Sequence, residues 1–260
     1  DTEVSAVIYD SRKRIVPGCL FICIEGTNFD GHGYASEVAD KGAGVLLVSR
    51  PVEGVSGKNV TVIQVEDTRY AMAFISAVWF GHPAEKLKVI GITGTKGKTT
   101  TAYLVKSILE NAGFRVGLVG TIETVIGEEH IHSDNTTPES WLLQETFARM
   151  AEAGLDTVVM EVSSQALKLH RTQGFVFDYG IFTNLEPDHI APGEHADFEE
   201  YMACKGLLFR QCRVGIVNGD DIHKEKLLEG HTCELETYGT GENCMLRAGD
   251  LELVNNPGEL

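Results

Sequence analysis

The chain has 260 residues, of which 43% are hydrophobic, so it is long enough for one large or two modest domains with real cores. Its 22 basic and 38 acidic residues give a formal net charge of −16, which argues against binding to nucleic acid or to an acidic membrane surface and favours a small anionic ligand held with metal ions. The six cysteines are scattered and form no C-x-x-C pair, which predicts reduced thiols. The sequence has no signal-peptide pattern and no apolar run near the ~18 residues of a membrane span, so a cytoplasmic protein is predicted.

The first part of the chain is predicted to be a small α/β unit. Its pattern runs strand, strand, helix, strand, strand, helix over the segments SAVIYD, GCLFICIEG, HGYASEVADKG, GVLLVS, VTVIQV and TRYAMAFISAVWF. The segment GHPAEK at 81–86 then combines Gly and Pro with polar residues, which indicates a domain boundary. We therefore predict one domain over 1–84 and a second over 85–260.

The remainder alternates apolar β-type runs with helical periodicity. Strands are predicted at LKVIGIT, RVGLVGTI, DTVVMEV, DYGIFTN and VGIVNGD, helices from Thr99, over 139–153 and over 198–212, and only weak short strands over 232–260. Such alternation predicts an α/β domain of the P-loop ATPase type, with a mainly parallel sheet covered by helices on both faces.

The segment GITGTKGKTT at 91–100 lies between a predicted strand and a predicted helix. It departs from the strict phosphate loop, because Ile92 stands where the first glycine belongs while glycines stand at 91 and 94. A strand, a small flexible turn and a helix starting at Lys-Thr still direct unpaired N–H groups at an anion. We expect Lys98 to reach terminal phosphates and Thr99 to ligate magnesium. The alternative is a glycine-rich turn that binds nothing.

Two helices have apolar stripes that bear on the site. The helix after the loop is predicted to end at Gly113 and to bury Val105, Ile108, Leu109 and Ala112. The helix over 198–212 opens with a D-x-x-E capping box at Asp197 and Glu200. Lys205 lies within its stripe, with Phe198, Tyr201, Met202, Leu208, Phe209 and Cys212. A lysine there must snorkel, pair or lose its charge, and snorkelling is the usual outcome.

The variant loop TGTKGKTT resembles the T-G-T-x-G-K-[TS] loop of the Mur ligases, ATP-dependent amide-forming enzymes of peptidoglycan synthesis, and of their folylpolyglutamate synthetase relatives. DSR at 10–12 with GCLFICIEGTNFDGHGY is similar to the uridine-binding domain of that family. NTTPES, MEVSSQALKLHR, FTNLEPDH and HADFEEYMACKGLLF resemble its central ATPase domain in order and spacing. Within the family, the segments point to enzymes that add the third peptide residue to UDP-N-acetylmuramoyl-L-Ala-D-Glu.

The resemblance implies ATP and two magnesium ions as cofactors. It assigns the phosphates to Gly94, Thr95, Lys96, Gly97, Lys98, Thr99 and Thr100, with Asn184 near the nucleotide. It assigns the metal ions to Thr99, Glu161, His189 and Lys205, the last as a carbamate formed with CO2, and it implies catalytic roles for Lys98, His189 and Lys205. From the residues alone, Glu161 is a metal ligand or a solvated strand-end carboxylate, and His189 and Asn184 are ordinary loop residues.

The resemblance also implies two substrate pockets. The uridine pocket would contain Ser11, Arg12, Thr27, Asn28 and Phe29, and the muramoyl-dipeptide site Asn135, Thr136, Thr137, Ser163 and Arg171. The family's partners are UDP-N-acetylmuramoyl-L-Ala-D-Glu and a diamino acid, diaminopimelate or lysine, and a monomer is expected. Gln165 and Leu169 depart from the family pattern at positions near the dipeptide. No D-Y-A-H-x-P or D-N-P motif of the family's third domain occurs, which implies a fragment that binds but turns over poorly.

The implied reaction uses ATP to convert the D-Glu γ-carboxylate into an acyl phosphate, which the incoming amine then attacks. A folylpolyglutamate-type or other amino-acid ligase is an alternative, against which the uridine-type domain argues. A nucleotide-dependent switch is an alternative of another class, although the guanine-reading N-K-x-D tetrapeptide does not occur. A binding module with a separate catalytic partner is the last alternative.

Overall fold

The structure is a computed structural model that describes residues 3–26, 29–188 and 190–250. Two sheets organise these residues, with a 3₁₀ turn, Pro83–Lys86, between them in the chain. We call the first sheet with its helices the N-terminal unit and the second sheet with its helices the central unit. This α/β architecture confirms the predicted fold class, whereas the domain limits at 84 and 85 stay a prediction.

The N-terminal unit is a four-stranded parallel sheet with strand order β1-β2-β3-β4. Its elements are β1 (Val7–Ile8), β2 (Leu20–Ile22), the 3₁₀ helix Gly31–Tyr34, α1 (Ala35–Asp40), β3 (Val45–Val48), β4 (Thr61–Gln64) and α2 (Thr68–Trp79). β2 and β3 are buried on both faces. One face of these two strands packs against Val38 of α1, and the opposite face packs against Met72 of α2. Helix α2 is N-capped by Asp67, whose carboxylate accepts from two backbone N–H groups.

The central unit contains a nine-stranded sheet of order β13-β12-β11-β10-β5-β9-β6-β7-β8, parallel except where β7 pairs with β6 and β8. Its strands are β5 (Lys88–Thr93), β6 (Val116–Val119), β7 (Glu123–Ile126), β8 (Glu129–His132), β9 (Thr157–Glu161), β10 (Phe177–Phe182), β11 (Cys212–Asn218), β12 (Glu234–Gly239) and β13 (Leu246–Arg247). Its helices are α3 (Lys98–Asn111), α4 (Ser140–Glu152), α5 (Ser164–Lys168), α6 (Phe198–Gly206), the 3₁₀ helix Leu207–Arg210 and α7 (Lys224–Leu227). The carboxyl ends of β5, β9 and β10 share one edge of the sheet.

The structure corrects several local predictions. The helix expected over 198–212 ends at Gly206 and continues as a 3₁₀ turn, because the chain must return to the sheet, where Cys212 begins β11 opposite Phe177. The capping box is half formed. Asp197 accepts from the Glu200 N–H, but Glu200 accepts from the N–H of Ala196 rather than of Asp197.

The stripe predicted for α3 is also wrong in part. Ala102 is fully buried and Val105 and Leu109 are partly buried, because these positions follow i, i+3, i+7 and pack against the sheet. Ile108 lies about 120° around the helix from Ala102 and is 67% exposed, and Ala112 is exposed as well. Within the described part of the chain, no helix is both long and apolar enough to cross a membrane.

Candidate active site

The loop between β5 and α3 has the backbone geometry that a phosphate-binding turn needs. Gly97 has φ 80° and is the N-cap residue of α3, and Gly94 has φ 152°, a value that favours glycine. Lys98, Thr99 and the exposed Thr100 form the first turn of α3, where the backbone N–H groups have no helical partner. The loop therefore offers an anion site formed by backbone N–H groups at the carboxyl edge of the sheet.

Two lysines converge on one carbonyl oxygen of this loop. The Lys205 Nζ and the Lys98 Nζ each donate to the Gly94 oxygen at 2.9 Å, and Lys98 also donates to the Thr95 oxygen at 3.1 Å. Lys205 is only 1% exposed, and its Nζ lies 4.4 Å from the ring centroid of Tyr201. Burial, followed by the charge of Lys98, lowers the pKa of Lys205 to about 7, and burial also lowers the pKa of Lys98. Lys205 therefore does not snorkel to the surface.

Glu161 ends β9 and lies beside Thr99. It is 1% exposed, so it is not a solvated strand-end carboxylate. Its Oε2 accepts from the hydroxyls of Thr99 at 2.9 Å and Thr121 at 3.1 Å, and its Oε1 accepts from the Thr121 N–H at 2.8 Å. A Cβ added to Gly120 would lie 2.6 Å from Oε1, so this close approach requires glycine. The Thr121 hydroxyl also lies 3.1 Å from that of Thr136.

Asn184, which follows β10, braces the phosphate loop. Its side-chain oxygen accepts from the Lys96 N–H at 2.9 Å, and its Nδ2 donates to the Lys96 carbonyl at 3.0 Å. A second brace is the Thr95 hydroxyl oxygen, which accepts from the Tyr201 hydroxyl at 3.1 Å and from the Glu186 N–H at 3.0 Å. The loop conformation is therefore fixed by segments distant in sequence.

The residues predicted to hold the dipeptide lie next to Glu161. The Thr137 hydroxyl donates to the Glu161 carbonyl oxygen at 2.9 Å and accepts from the Ser163 N–H at 3.1 Å. The Arg171 guanidinium donates to the Thr137 carbonyl at 3.0 Å. Asn135 is exposed in the bend that precedes them. These contacts bring Ser163 and Arg171 to the loop that carries Thr137.

The residues predicted to bind uridine lie in the N-terminal unit. Arg12 and Phe29 border a cavity of about 290 Å³, which Ser11 does not line. Phe29 is 40% exposed and stacks on Tyr34 with a centroid distance of 4.8 Å. Arg12 makes a two-pronged ion pair with Asp10, which holds the pKa of that carboxyl below its usual value. Two further residues of this prediction, Thr27 and Asn28, lie outside the described residues.

Three adjoining cavities link these groups. The uridine-side cavity, bordered by Phe29, shares Gly26 and Arg69 with a cleft of about 720 Å³ between the two units. The cleft adjoins a third cavity of about 80 Å³, bordered by Lys98 and Lys205. The residues that the cleft and the third cavity share are Gln165, Glu194 and His195. Both departures from the family pattern, Gln165 and Leu169, border the cleft.

Several side chains of this region carry little or no sequence signal for a role in the site. Tyr201 appeared only as an apolar position, although its hydroxyl reaches the phosphate loop, and His195, 2% exposed, lies edge-on to its ring. Glu139 and His195 lie inside segments that resemble the family, and this resemblance is the only sequence signal for a role of either residue in the site. Thr121 and Arg69 carry no local signal, because their roles depend on contacts with residues 40 and 70 positions away.

The donor atoms beside the loop suit magnesium in type. Mg²⁺ prefers oxygen ligands, and the Thr99 hydroxyl and the Glu161 carboxylate are 2.9 Å apart. His189, the predicted second ligand, lies outside the described residues. Among the residues that are described, no group of three or more His, Cys, Asp or Glu side chains could hold a metal ion. The charges of Glu161 and Asp188 both act on the Lys98 amine, and the charge of Asp188 also acts on the Lys205 amine.

Two family models match the sequence of this chain. Residues 92–259 match the family described as "Mur ligase middle domain", and residues 3–79 match "Mur ligase family, catalytic domain". The chain belongs to the Mur ligase family.

Individual relatives agree with this assignment. The chain is 44% identical over 252 residues to the UDP-N-acetylmuramoyl-L-alanyl-D-glutamate--2,6-diaminopimelate ligase of Clostridium botulinum, covering 96% of this chain and 52% of that protein. A solved structure of a UDP-N-acetylmuramoyl-L-alanyl-D-glutamate--2,6-diaminopimelate ligase has a TM-score of 0.77 at 24% identity, covering 92% of this chain and 49% of that one. The MurF ligase of Thermotoga maritima in complex with ADP has a TM-score of 0.58 at 18% identity, covering 90% and 50%. These structures share the fold, and the chain spans about half the length of the curated relatives it matches.

Proposed function

We propose that the chain carries the uridine-binding domain (1–84) and the ATP-binding domain (85–260) of a peptide ligase. The ligase joins a diamino acid to UDP-N-acetylmuramoyl-L-Ala-D-Glu at the expense of ATP, in the cytoplasm and as a monomer. Diaminopimelate is the proposed amino acid, because relatives at 40–44% identity are named for it, and lysine is the alternative. These 260 residues span about half the length of those relatives.

The succession of three adjoining cavities carries the proposal. It runs from the aromatic ring of Phe29, through the cleft beside Arg69, to the amines of Lys98 and Lys205. A ligand with a nucleoside at one end and a carboxylate at the other would fit this order. The nucleoside would lie against Phe29. The carboxylate would lie beside the amines of Lys98 and Lys205, where ATP would present its γ-phosphate.

The residues of the phosphate loop bind and orient the nucleotide in this proposal. Backbone N–H groups of Gly94–Thr100 hold the phosphates, and Lys98 turns from its carbonyl partners to the terminal phosphates. Magnesium ions, when bound, neutralise the charge that gathers between the γ-phosphate and the attacking carboxylate. We assign them to Thr99, Glu161, His189 and a carbamylated Lys205.

The environment of Lys205 supports its carbamylation. A buried amine whose pKa is about 7 is largely neutral at slightly alkaline pH, and only a neutral amine reacts with CO2. The N–C bond forms as the amine loses a proton to solvent, and the product carries a negative charge. The modification would place an anion beside the cation of Lys98, and its oxygens would add possible metal ligands to those of the Glu161 carboxylate.

The proposed reaction has two steps. A D-Glu γ-carboxylate oxygen attacks the γ-phosphorus of ATP, the bond to the β-phosphate oxygen breaks, and ADP leaves. The amine of the diamino acid then attacks the acyl carbon, phosphate leaves, and the amine releases a proton. Lys98 stabilises charge in the first step. Thr137, Ser163 and Arg171 hold the dipeptide so that its carboxylate stays in line.

Isothermal titration of the 260-residue chain tests the proposal. We expect heat with Mg-ATP and with UDP-N-acetylmuramoyl-L-Ala-D-Glu, and a much weaker signal for UDP-N-acetylglucosamine, which lacks the dipeptide. Lys98→Met should abolish the ATP signal alone, and Arg171→Met should weaken the signal of the dipeptide substrate alone. Heat with ATP but none with the dipeptide substrate would contradict the ligase assignment and favour a nucleotide-binding module.

A further inference from the structure

Glu139, the residue before α4, holds one arginine from each unit. Its Oε2 accepts from Arg69 of α2 at 2.7 Å, and its Oε1 accepts from Arg171 of the central unit at 2.9 Å. The three side chains are 15–23% exposed, so solvent screens these ion pairs less than surface pairs. One carboxylate, which borders the uridine-side cavity, therefore ties the two units together.

Both arginines continue into the predicted substrate sites. Arg171 also donates to the carbonyl of Thr137, whose hydroxyl bonds to the Glu161 backbone. Arg69 borders both the uridine-side cavity and the cleft. The Nε atoms of both arginines are buried without a hydrogen-bond partner in the described part of the chain, so each guanidinium retains a donor.

The rest of the seam between the units is less directional. Helix α2 packs against α4, where Trp79 and Trp141 approach with a centroid distance of 5.8 Å and Phe80 packs on Trp141. A longer contact of 3.5 Å joins His170 to Asp67. Apolar packing tolerates small rotations, whereas charged hydrogen bonds fix an angle. The contacts of Glu139 are thus those best placed to set the opening of the cleft.

We propose that Glu139 is a positioning residue, a latch that fixes the N-terminal unit relative to the central unit so that one substrate molecule engages both. The inference rests on the proposed function. A ligand with its nucleoside in one unit and its dipeptide in the other gains affinity because binding of the first end makes binding of the second intramolecular. That gain depends on the two sites being held at the correct separation. Loss of the latch should therefore weaken binding of the complete substrate more than binding of UDP by itself.

Glu139→Gln is the sharpest variant, because it keeps the shape and removes the charge that holds both arginines. We expect the affinity for UDP-N-acetylmuramoyl-L-Ala-D-Glu to fall about tenfold or more and the affinity for UDP to fall by a clearly smaller factor, since Glu139 also borders the uridine-side cavity; titration calorimetry measures both. Glu129→Gln is the matched control, since it makes the same chemical change in a pair with Arg149 on the surface of the central unit. It should change neither affinity.

A second readout needs no ligand. Trp79 and Trp141 are the chain's two tryptophans and lie on opposite sides of the seam, so their exciton coupling in circular dichroism reports its closure. The coupling should weaken in Glu139→Gln and in Arg69→Gln, but not in Glu129→Gln. Arg69→Gln also serves if Glu139→Gln does not fold. In the double variant Arg69→Gln/Glu139→Gln, the losses of affinity should be less than additive, because both single changes already break the contact between Arg69 and Glu139.

Each outcome bears on one of the two proposals. Unchanged affinity for the complete substrate in Glu139→Gln, or equal losses for substrate and UDP, would overturn the latch. If the wild-type chain binds no dipeptide substrate, the proposed function fails, and the tryptophan coupling alone decides whether Glu139 holds the seam. An unchanged coupling in both variants would then overturn the latch as well.

Discussion

Replacing Lys205 with methionine is expected to stabilise the folded chain at neutral pH. Burial, reinforced by the charge of Lys98, lowers the pKa of Lys205 from its ordinary value of 10.5 to about 7. As the pH falls, the unfolded chain therefore takes up this proton before the folded chain does. The folded state loses stability between pH 10.5 and about 7, and the full loss of roughly 5 kcal/mol is present at pH 7 and below.

The variant should recover most of that free energy. Methionine has a similar unbranched length and packs well in apolar surroundings. It loses the hydrogen bond from Nζ to the Gly94 carbonyl, which costs about 1 kcal/mol, but that oxygen still accepts from Lys98. The expected net gain is therefore about 3–4 kcal/mol at pH 7. Well above pH 10.5, where the wild-type amine is neutral in both the folded and the unfolded state, the variant should be slightly less stable.

Urea unfolding at two pH values tests this reasoning. Wild type, Lys205→Met and the control Lys96→Met, whose side chain is 71% exposed, would be compared in bicarbonate-free buffer. Between about pH 7 and pH 9.5, the advantage of Lys205→Met over wild type should shrink by about 3 kcal/mol. An advantage that does not change with pH, or a variant less stable than wild type at pH 7, would refute the argument from burial. The control should show no such trend.

Four further substitutions test the phosphate loop and its neighbour Glu161. Gly94→Ala should destabilise the chain by about 2 kcal/mol or more and abolish ATP binding, because the added Cβ would collide with the Thr183 hydroxyl. Gly97→Ala should cost only about 1 kcal/mol, because the space around Gly97 is open and only its positive φ opposes the change. Thermal unfolding of the two variants measures this difference. Glu161→Gln should cost about 1–3 kcal/mol, because an amide nitrogen would meet hydroxyl and N–H donors, and calorimetry with Mg-ATP should show weaker metal-dependent binding. Lys98→Met should leave the melting temperature within a few degrees of wild type, since its hydrogen bonds stay within the loop, yet eliminate ATP heat.

The sequence predicted those parts of the fold that depend on local patterns. Buried parallel strands read as continuous apolar runs, as in β3 and β9, and the strand-loop-helix unit around Lys98 follows from residue types within ten positions. The hairpin of β7 and β8 went unpredicted, because its outer strand is mostly exposed and polar. Its turn at Gly127, with φ 61°, is a weak signal in isolation.

The site was less accessible to sequence reasoning than the fold. The burial of Lys205 could be suspected from its place in an apolar stripe, but periodicity alone favoured snorkelling. What holds the amine inside is a carbonyl 111 positions earlier, at Gly94, together with the ring of Tyr201. Likewise, Glu161 is buried because Thr121, from a different strand connection, satisfies its oxygens. Contacts between distant segments decide both outcomes, and no local rule contains them.

The unusual glycine spacing of the loop has a packing cause. Ile92, where the strict pattern has glycine, is fully buried in β5 and packs against Ala102 of α3, so glycine there would leave a void in the core. Gly94 is needed instead, because an added Cβ would meet both the Thr183 hydroxyl and the Asn184 backbone. The end of β10 therefore presses on the loop two positions after Ile92. The Gly94 carbonyl also accepts a hydrogen bond from Lys205, so the loop contacts the rest of the site at this glycine. The need for glycine at position 94 therefore comes from its protein neighbours rather than from a phosphate.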